Sequence, residues 1–158
     1  MKKKLIIILL LTLIASADEL KITAGSFKAD ENSGISIFSK DVAIKKGTDE
    51  INASKVTVYT DKNNEPIKFV AIGNVSFVLV SKQGSIYSGE AQKVIYIPKS
   101  KEYYFYKNVH LKQVDQKKEI IGEEVVLKTI EGKAYAKGVD SEPVIMIFNI
   151  SNDKTKKE

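Results

Sequence analysis

Between Phe69 and Leu79 every second residue is apolar or glycine. Phe69, Ala71, Gly73, Val75, Phe77 and Leu79 share one parity, with no polar side chain among them. Residues two apart share a face of a β-strand, whereas a helix brings together residues three and four apart. The run therefore fits a long strand with one dry face. The other parity, from Val70 and Ile72 through Asn74 and Ser76 to Val78 and Val80, is mixed. Gly73, at the middle, lets the strand bend or another backbone come close.

Similar runs recur. Ile51 to Tyr59, Ile67 to Val80, Val94 to Ile97, Tyr103 to Lys112, Val125 to Ile130 and Val144 to Ile150 are rich in Val, Ile, Tyr and Phe, the residues that suit a pleated surface. Asp61 to Pro66, Ser81 to Gly84, Pro98 to Lys101, Gln116 to Lys118 and Glu131-Gly132 separate them, and these have turn compositions. No window carries a helical period. The spacing predicts an all-β chain with one domain over 18–150 and a polar, frayed tail over 151–158.

Two short units repeat. Lys40-Asp41-Val42, Gly73-Asn74-Val75 and Lys107-Asn108-Val109 lie 33 and 34 residues apart. Between them come Ala53-Ser54-Lys55-Val56, Ala91-Gln92-Lys93-Val94 and, more loosely, Gly122-Glu123-Glu124-Val125. Around the first set, Phe38, Val42 and Ile44 share a face with Lys40. Tyr103, Phe105, Val109 and Leu111 share one with Lys107. A period near 33 in an all-β chain implies hairpin units that bury their apolar faces only by stacking.

The amino terminus has another purpose. Lys2 to Lys4 precede an apolar run from Leu5 to Ile14, and Ala15-Ser16-Ala17 follows as an A-x-A site. This is the pattern of a secretory signal over 1–17, cleaved before Asp18. The alternative is a retained membrane anchor, although the run falls short of the roughly 20 residues a bilayer requires. The chain has no cysteine, so neither a lipid-anchored start nor disulfides or thiolate chemistry is open to it. Its formal charge is +5. Without the first three lysines it carries 22 lysines against 20 acidic residues, or +2. There is no arginine and no concentrated basic run, which argues against a nucleic-acid partner.

Phe69 to Phe77, Ser88 to Tyr96 and Gly132 to Gly138 resemble the OstA-like repeats of the LptA family, the periplasmic bridge proteins of lipopolysaccharide transport. The resemblance spans Leu20 to about Ile150. It implies a β-jellyroll, a folded and twisted antiparallel sheet with an open apolar groove. It also implies passive carriage of lipopolysaccharide from the inner to the outer membrane, by units stacked head to tail. The implied partners are the inner-membrane transport complex, the outer-membrane translocon and further copies of the chain. Two of the three Asn-Val-type units carry Lys40 and Lys107 where the family has glycine, which leaves the strand register open. An anchored partner in the same pathway is the alternative role.

A fatty chain entering water costs about 0.8 kcal/mol per methylene, so a path across an aqueous compartment needs apolar walls throughout. Candidate wall residues are Ile22, Phe38, Val42 and Ile44, then Phe69, Val75, Phe77 and Leu79, and finally Tyr96, Phe105, Val109 and Leu111. Tyr96 and Tyr103 suit a groove mouth, with rings toward lipid and hydroxyls toward water. The same residues would equally fill an ordinary sandwich core. Val144, Met146 and Phe148 belong to a final strand that is apolar on both faces, either a docking edge for the next unit or a buried closing strand.

No catalytic set emerges. The one histidine, His110, alternates away from the dry side and reads as a solvated residue. Asp61-Lys62-Asn63-Asn64-Glu65 faintly resembles a calcium loop, but Pro66 stands where glycine is needed and Ile72 where a glutamate is, so it reads as a turn. Neither a cofactor nor a metal is expected, and no enzymatic activity. A structural β-repeat protein with a filled core is the remaining alternative.

Overall fold

The computed structural model describes residues 19–150. The expected signal segment and the polar tail lie outside the described residues. Ten strands form one antiparallel sheet: β1 (Leu20–Thr23), β2 (Ser26–Asp30), β3 (Ile35–Lys46), β4 (Asp49–Thr60), β5 (Pro66–Val80), β6 (Ile86–Ile97), β7 (Glu102–Gln113), β8 (Lys118–Lys128), β9 (Lys133–Lys137) and β10 (Ile145–Phe148). Strands β3 to β8 run as a meander. The ends are split: β1 and β2 share the outer edge of β3, and β9 and β10 share that of β8.

The repeated units mark one structural device. Lys40 and Asp41, Gly73 and Asn74, and Lys107 and Asn108 all have positive φ, between 45° and 89°. At each place two residues stand where the partner strand has one, between Ser39 and Val42, Ile72 and Val75, and Tyr106 and Val109. These are β-bulges, which kink a strand and increase its twist. The second repeated unit lies directly across from the first, with Val42 opposite Ala53, Val75 opposite Ala91, and Val109 opposite Gly122. On β4, β6 and β8 the inward residues on either side of the kink are three apart, as in Ala53 and Val56 or Ala91 and Val94, both pairs buried.

The bulges line up across six strands, so the sheet folds over along that line with its dry face inside. Phe77, past the bulge of β5, meets Phe105, before the bulge of β7, at 4.5 Å between ring centroids. At the seam, Lys82 N–H donates to the Thr129 carbonyl at 3.0 Å and Gln83 Nε2 to the Ile130 carbonyl at 2.7 Å. Thus the β5–β6 turn closes onto the β8–β9 turn. The buried apolar residues form one cluster from Val42 to Leu127.

Several sequence expectations are revised. Val94 to Ile97 is only the end of β6, whose earlier half is masked by Gly89, Glu90 and Gln92. Strand β8 begins seven residues before Val125 and ends at Lys128, leaving Thr129 and Ile130 in a turn. Val144 precedes β10 rather than opening it. Lys40 and Lys107 do not join their apolar neighbours inside, because the bulge turns them outward and both are exposed. Residues 61–65 form a turn in which the Asp61 carboxylate accepts from the Asn63 and Glu65 amides. His110 lies on the outer face but is half-buried, with Nε2 at 2.7 Å from Glu119 Oε2.

Candidate functional site: the apolar interior and its two ends

The sheet brings the predicted wall residues together on one face. Val42, Ile44, Phe69, Val75, Phe77, Leu79, Tyr96, Phe105, Val109 and Leu111 are all buried in the central cluster, and Ile22 and Phe38 pack against its margin. Antiparallel pairing places Ile22 opposite Ile44 and Phe69 opposite Tyr96. A ladder of rings runs through the middle: Phe69 to Tyr96 at 5.9 Å, Tyr96 to Tyr103 at 4.5 Å, and Tyr103 to Phe105 at 6.2 Å. Each fully buried aromatic or leucine contributes about 1.5–3 kcal/mol. The middle of the interior is therefore packed by the protein's own side chains.

The two ends differ from the middle. At the amino-terminal end the Phe27 ring lies tilted against Phe38 at 4.9 Å between centroids yet remains 61% exposed, and Leu20 is also exposed. At the carboxy-terminal end Tyr135, Ile145, Met146, Ile147 and Phe148 are all exposed. Register assigns their facing. Met146 lies opposite Ile120, which packs against the core, while Ala134 and Ala136 lie opposite buried Leu127 and Val125. Met146, Ala134 and Ala136 thus continue the dry face outward. They border a cavity of about 430 Å³ that also touches Tyr87 and Ile120, and whose remaining wall is largely polar, with Gln83, Gln113, Gln116, Lys118 and Glu131. Of the proposed edge residues, Met146 and Phe148 are exposed and Val144 is half-buried.

A second cavity of about 430 Å³ opens at the seam. Its wall includes Lys46, Asp49, Lys82, Tyr96, Lys101, Tyr103 and Thr129. Tyr96 and Tyr103, the pair expected at a groove mouth, both border this opening. Both are buried, and the Tyr103 hydroxyl lies 3.4 Å from Asp49 Oδ2. Burial chiefly, with the Asp49 charge second, pushes both phenols above their ordinary ionisation range. Asp49 also accepts from the Val80 amide at 2.8 Å. An apolar slit of about 20 Å³, walled by Leu20, Ile44, Ile51 and Phe69, shares Lys46, Asp49, Tyr96 and Tyr103 with this cavity.

Sequence reasoning missed Phe27, Ala134, Ala136 and Asp49. The short edge strands gave too few alternations to read, and Asp49 sits in a polar stretch beside a turn. Among the described residues, no group of three or more His, Cys, Asp or Glu side chains is placed to hold a metal ion, and no helix is long and apolar enough to cross a membrane.

The sequence profile of the LptA/(LptD N-terminal domain) lipopolysaccharide transport proteins matches residues 21–133. The chain belongs to this family. The match takes in all three bulges and every strand from β3 to β8. No curated protein sequence matches. Among solved structures, the chain is similar to LptH from Pseudomonas aeruginosa, described as the LptA-homologous periplasmic component of the conserved lipopolysaccharide transport device. The TM-score is 0.74 at 15% identity, over 84% of this chain and 96% of that one. At that identity the likeness shows the fold alone, and it shows the jellyroll of that family.

Proposed function

We propose that this chain is a passive periplasmic carrier of lipopolysaccharide, without catalytic activity, that moves it from the inner toward the outer membrane. The observation that carries this reading is the single dry face. It continues unbroken from Leu20 and Phe27 at one end, through the buried cluster, to Met146 and the two alanines at the other. In a family of lipopolysaccharide transport proteins, such a face is suited to acyl chains, which lose about 0.8 kcal/mol per methylene when exposed to water. Acyl chains would enter at the ends and reach Phe77 and Phe105 as the two folded halves part.

Assembly follows from the edges. β1 and β2 leave one free strand edge and β9 and β10 the other, each flanked by exposed apolar side chains. Pairing of one copy's carboxy-terminal edge with the next copy's amino-terminal edge would extend the dry face. Each backbone hydrogen bond would add about 0.5–1.5 kcal/mol net. Such a heterologous contact does not close on itself and builds a chain of units. The same edges would meet the inner-membrane complex and the outer-membrane translocon.

Photo-crosslinking residues at Phe27, Phe77 and Met146, with Ser76 on the opposite face as control, test the facing. Lipopolysaccharide should be captured from the first three and not from Ser76. Equal labelling at all four would refute the proposal. One observation favours a second reading: the 4.5 Å contact of Phe77 with Phe105 is that of a filled core. A structural protein of that kind would copurify with no lipopolysaccharide from cells and would bind none when purified. The role of an anchored partner would show as a chain still beginning at Met1 after export.

A further inference from the structure

We propose that the cavity at the seam is a site for a phosphomonoester, and that Lys46, Lys82 and Lys101 bind it. The inference rests on the carrier function proposed above and names where the anionic head of the cargo is held.

The three lysines come from three different places. Lys46 ends β3, Lys82 lies in the β5–β6 turn and Lys101 in the β6–β7 turn. They border one cavity only because the sheet folds along its bulges and brings those turns together. The turns are tied in place by backbone bonds. Lys82 N–H donates to the Thr129 carbonyl, and Thr129 donates from both its hydroxyl (2.7 Å) and its amide (3.4 Å) to the Lys101 carbonyl. The ion pairs among the described residues involve Lys45, Lys128, Lys133 and His110, and none of these three lysines. The cavity's one carboxylate, Asp49, is engaged by the Val80 amide and lies beside the Tyr103 hydroxyl, which disperses its charge.

Three ammonium-bearing chains with one engaged carboxylate leave a positive cavity, and a phosphate monoester with nearly two negative charges is the matching anion. The neighbouring wall gives the site its second property. Tyr96 and Tyr103 divide the basic cavity from the apolar slit beside Leu20, Ile44 and Phe69. A phosphorylated head matches the basic side of that wall, and the apolar slit, only about 20 Å³, marks where an attached aliphatic chain would start inward.

The test compares binding of bisphosphorylated lipid A, the same lipid enzymatically stripped of phosphate, and inorganic phosphate. The proteins are the wild-type chain, the triple variant K46Q/K82Q/K101Q, and a control triple variant K55Q/K62Q/K112Q that removes the same charge from exposed positions elsewhere. The triple variant should bind phosphorylated lipid A roughly tenfold or more weakly, the size of one charge-assisted hydrogen bond. Stripped lipid should bind both proteins alike, and the control should match wild type. Inorganic phosphate competing with phosphorylated lipid for wild type alone would support the site as a phosphate pocket. Loss of competition would overturn a free-phosphate site and leave the head bound only as part of the lipid. Equal loss for stripped lipid, or equal loss in the control, would overturn the inference. Wild type failing to bind either lipid would instead overturn the carrier function.

Discussion

The three bulges share a backbone geometry but not a sequence, and the difference makes opposite predictions at equivalent positions. Gly73 has φ of 89°, whereas Lys107 has 64° and Lys40 67°. A side chain in the left-handed region costs roughly 1–2 kcal/mol, which glycine avoids. Gly73→Ala should incur that cost and a second. A Cβ there would stand 2.7 Å from Ser54 Oγ and 2.9 Å from Ser54 Cβ, so Ser54 must move. It would then give up its 3.2 Å bond to the Gly73 carbonyl, worth about 0.5–1.5 kcal/mol. The sum is a destabilisation of about 2–3 kcal/mol. Lys107→Gly should instead relieve the left-handed strain, less the roughly 0.5–1 kcal/mol that glycine's flexibility costs in a strand, for a gain of about 0.5 kcal/mol. Urea unfolding checks both. With a slope near 2 kcal/mol/M, Gly73→Ala should lower the midpoint by about 1–1.5 M, and Lys107→Gly should raise it slightly. Ser54→Gly alone removes the same bond and the obstructing side chain, so adding Gly73→Ala to it should cost only the left-handed strain, about 1–2 kcal/mol. A neutral Gly73→Ala, or a Lys107→Gly that destabilises as much as Gly73→Ala does, would refute the bulge reasoning.

Further outcomes are expected elsewhere in the fold. Gly89→Ala directs a Cβ into the His110 carbonyl and within 3.1 Å of the Phe77 ring, so it should destabilise by about 1–3 kcal/mol as overpacking does, seen as a lower thermal midpoint. Tyr103 ionises in the folded state only well above the ordinary phenol range, so its share of stability is complete below about pH 10 and falls as pH rises from there. Tyr103→Phe should flatten the alkaline loss of urea midpoint above pH 10, with Tyr87 and Tyr96 leaving a residual slope; an unchanged slope would count against the buried phenol. The Asn149 amide donates to the Lys117 carbonyl of the inner neighbour, so by alternation the Met146 amide faces the free edge. Met146→Pro should therefore leave the fold intact while abolishing end-to-end association in sedimentation, and chains that persist would place the contact elsewhere.

How much of this was legible in the sequence depends on strand length. Strands β5 and β7 carry enough alternation for parity alone to place Phe69, Val75, Phe77, Phe105, Val109 and Leu111 inside, where they are buried. The period of 33 and 34 residues was visible too, but its physical meaning was not. The repeated units read as strand centres, whereas they are the kinks, because left-handed backbone leaves no mark in a sequence when lysine occupies the position. Edge strands of four or five residues, such as β2 with Phe27 and β9 with Ala134 and Ala136, are too short for periodicity to separate them from loops. Contacts such as Tyr103 with Asp49 depend on how the sheet folds over, a long-range property no local pattern carries.

The filled middle and the proposed path for lipid are reconciled by the nature of what holds the halves together. Inside, the contact is apolar against apolar, as between Phe77 and Phe105. Replacing one dry neighbour with an acyl chain keeps that surface out of water, so the exchange costs little in transfer free energy. The turn-to-turn ties are few: Lys82 to Thr129, Gln83 to Ile130, and the long contact of Tyr103 with Asp49. At about 0.5–1.5 kcal/mol each, they amount to a few kcal/mol, while a dozen methylenes kept from water return on the order of 10 kcal/mol. Parting the seam is therefore affordable to a lipid and not to water, which would wet the dry face without compensation. A reducible bis-maleimide crosslink between Gln83→Cys and Ile130→Cys, long enough to replace the Gln83 side chain that now reaches the Ile130 carbonyl, should abolish lipid uptake and spare the fold, and reduction should restore it. Uptake that survives the clamp would mean that lipid enters at the strand edges alone.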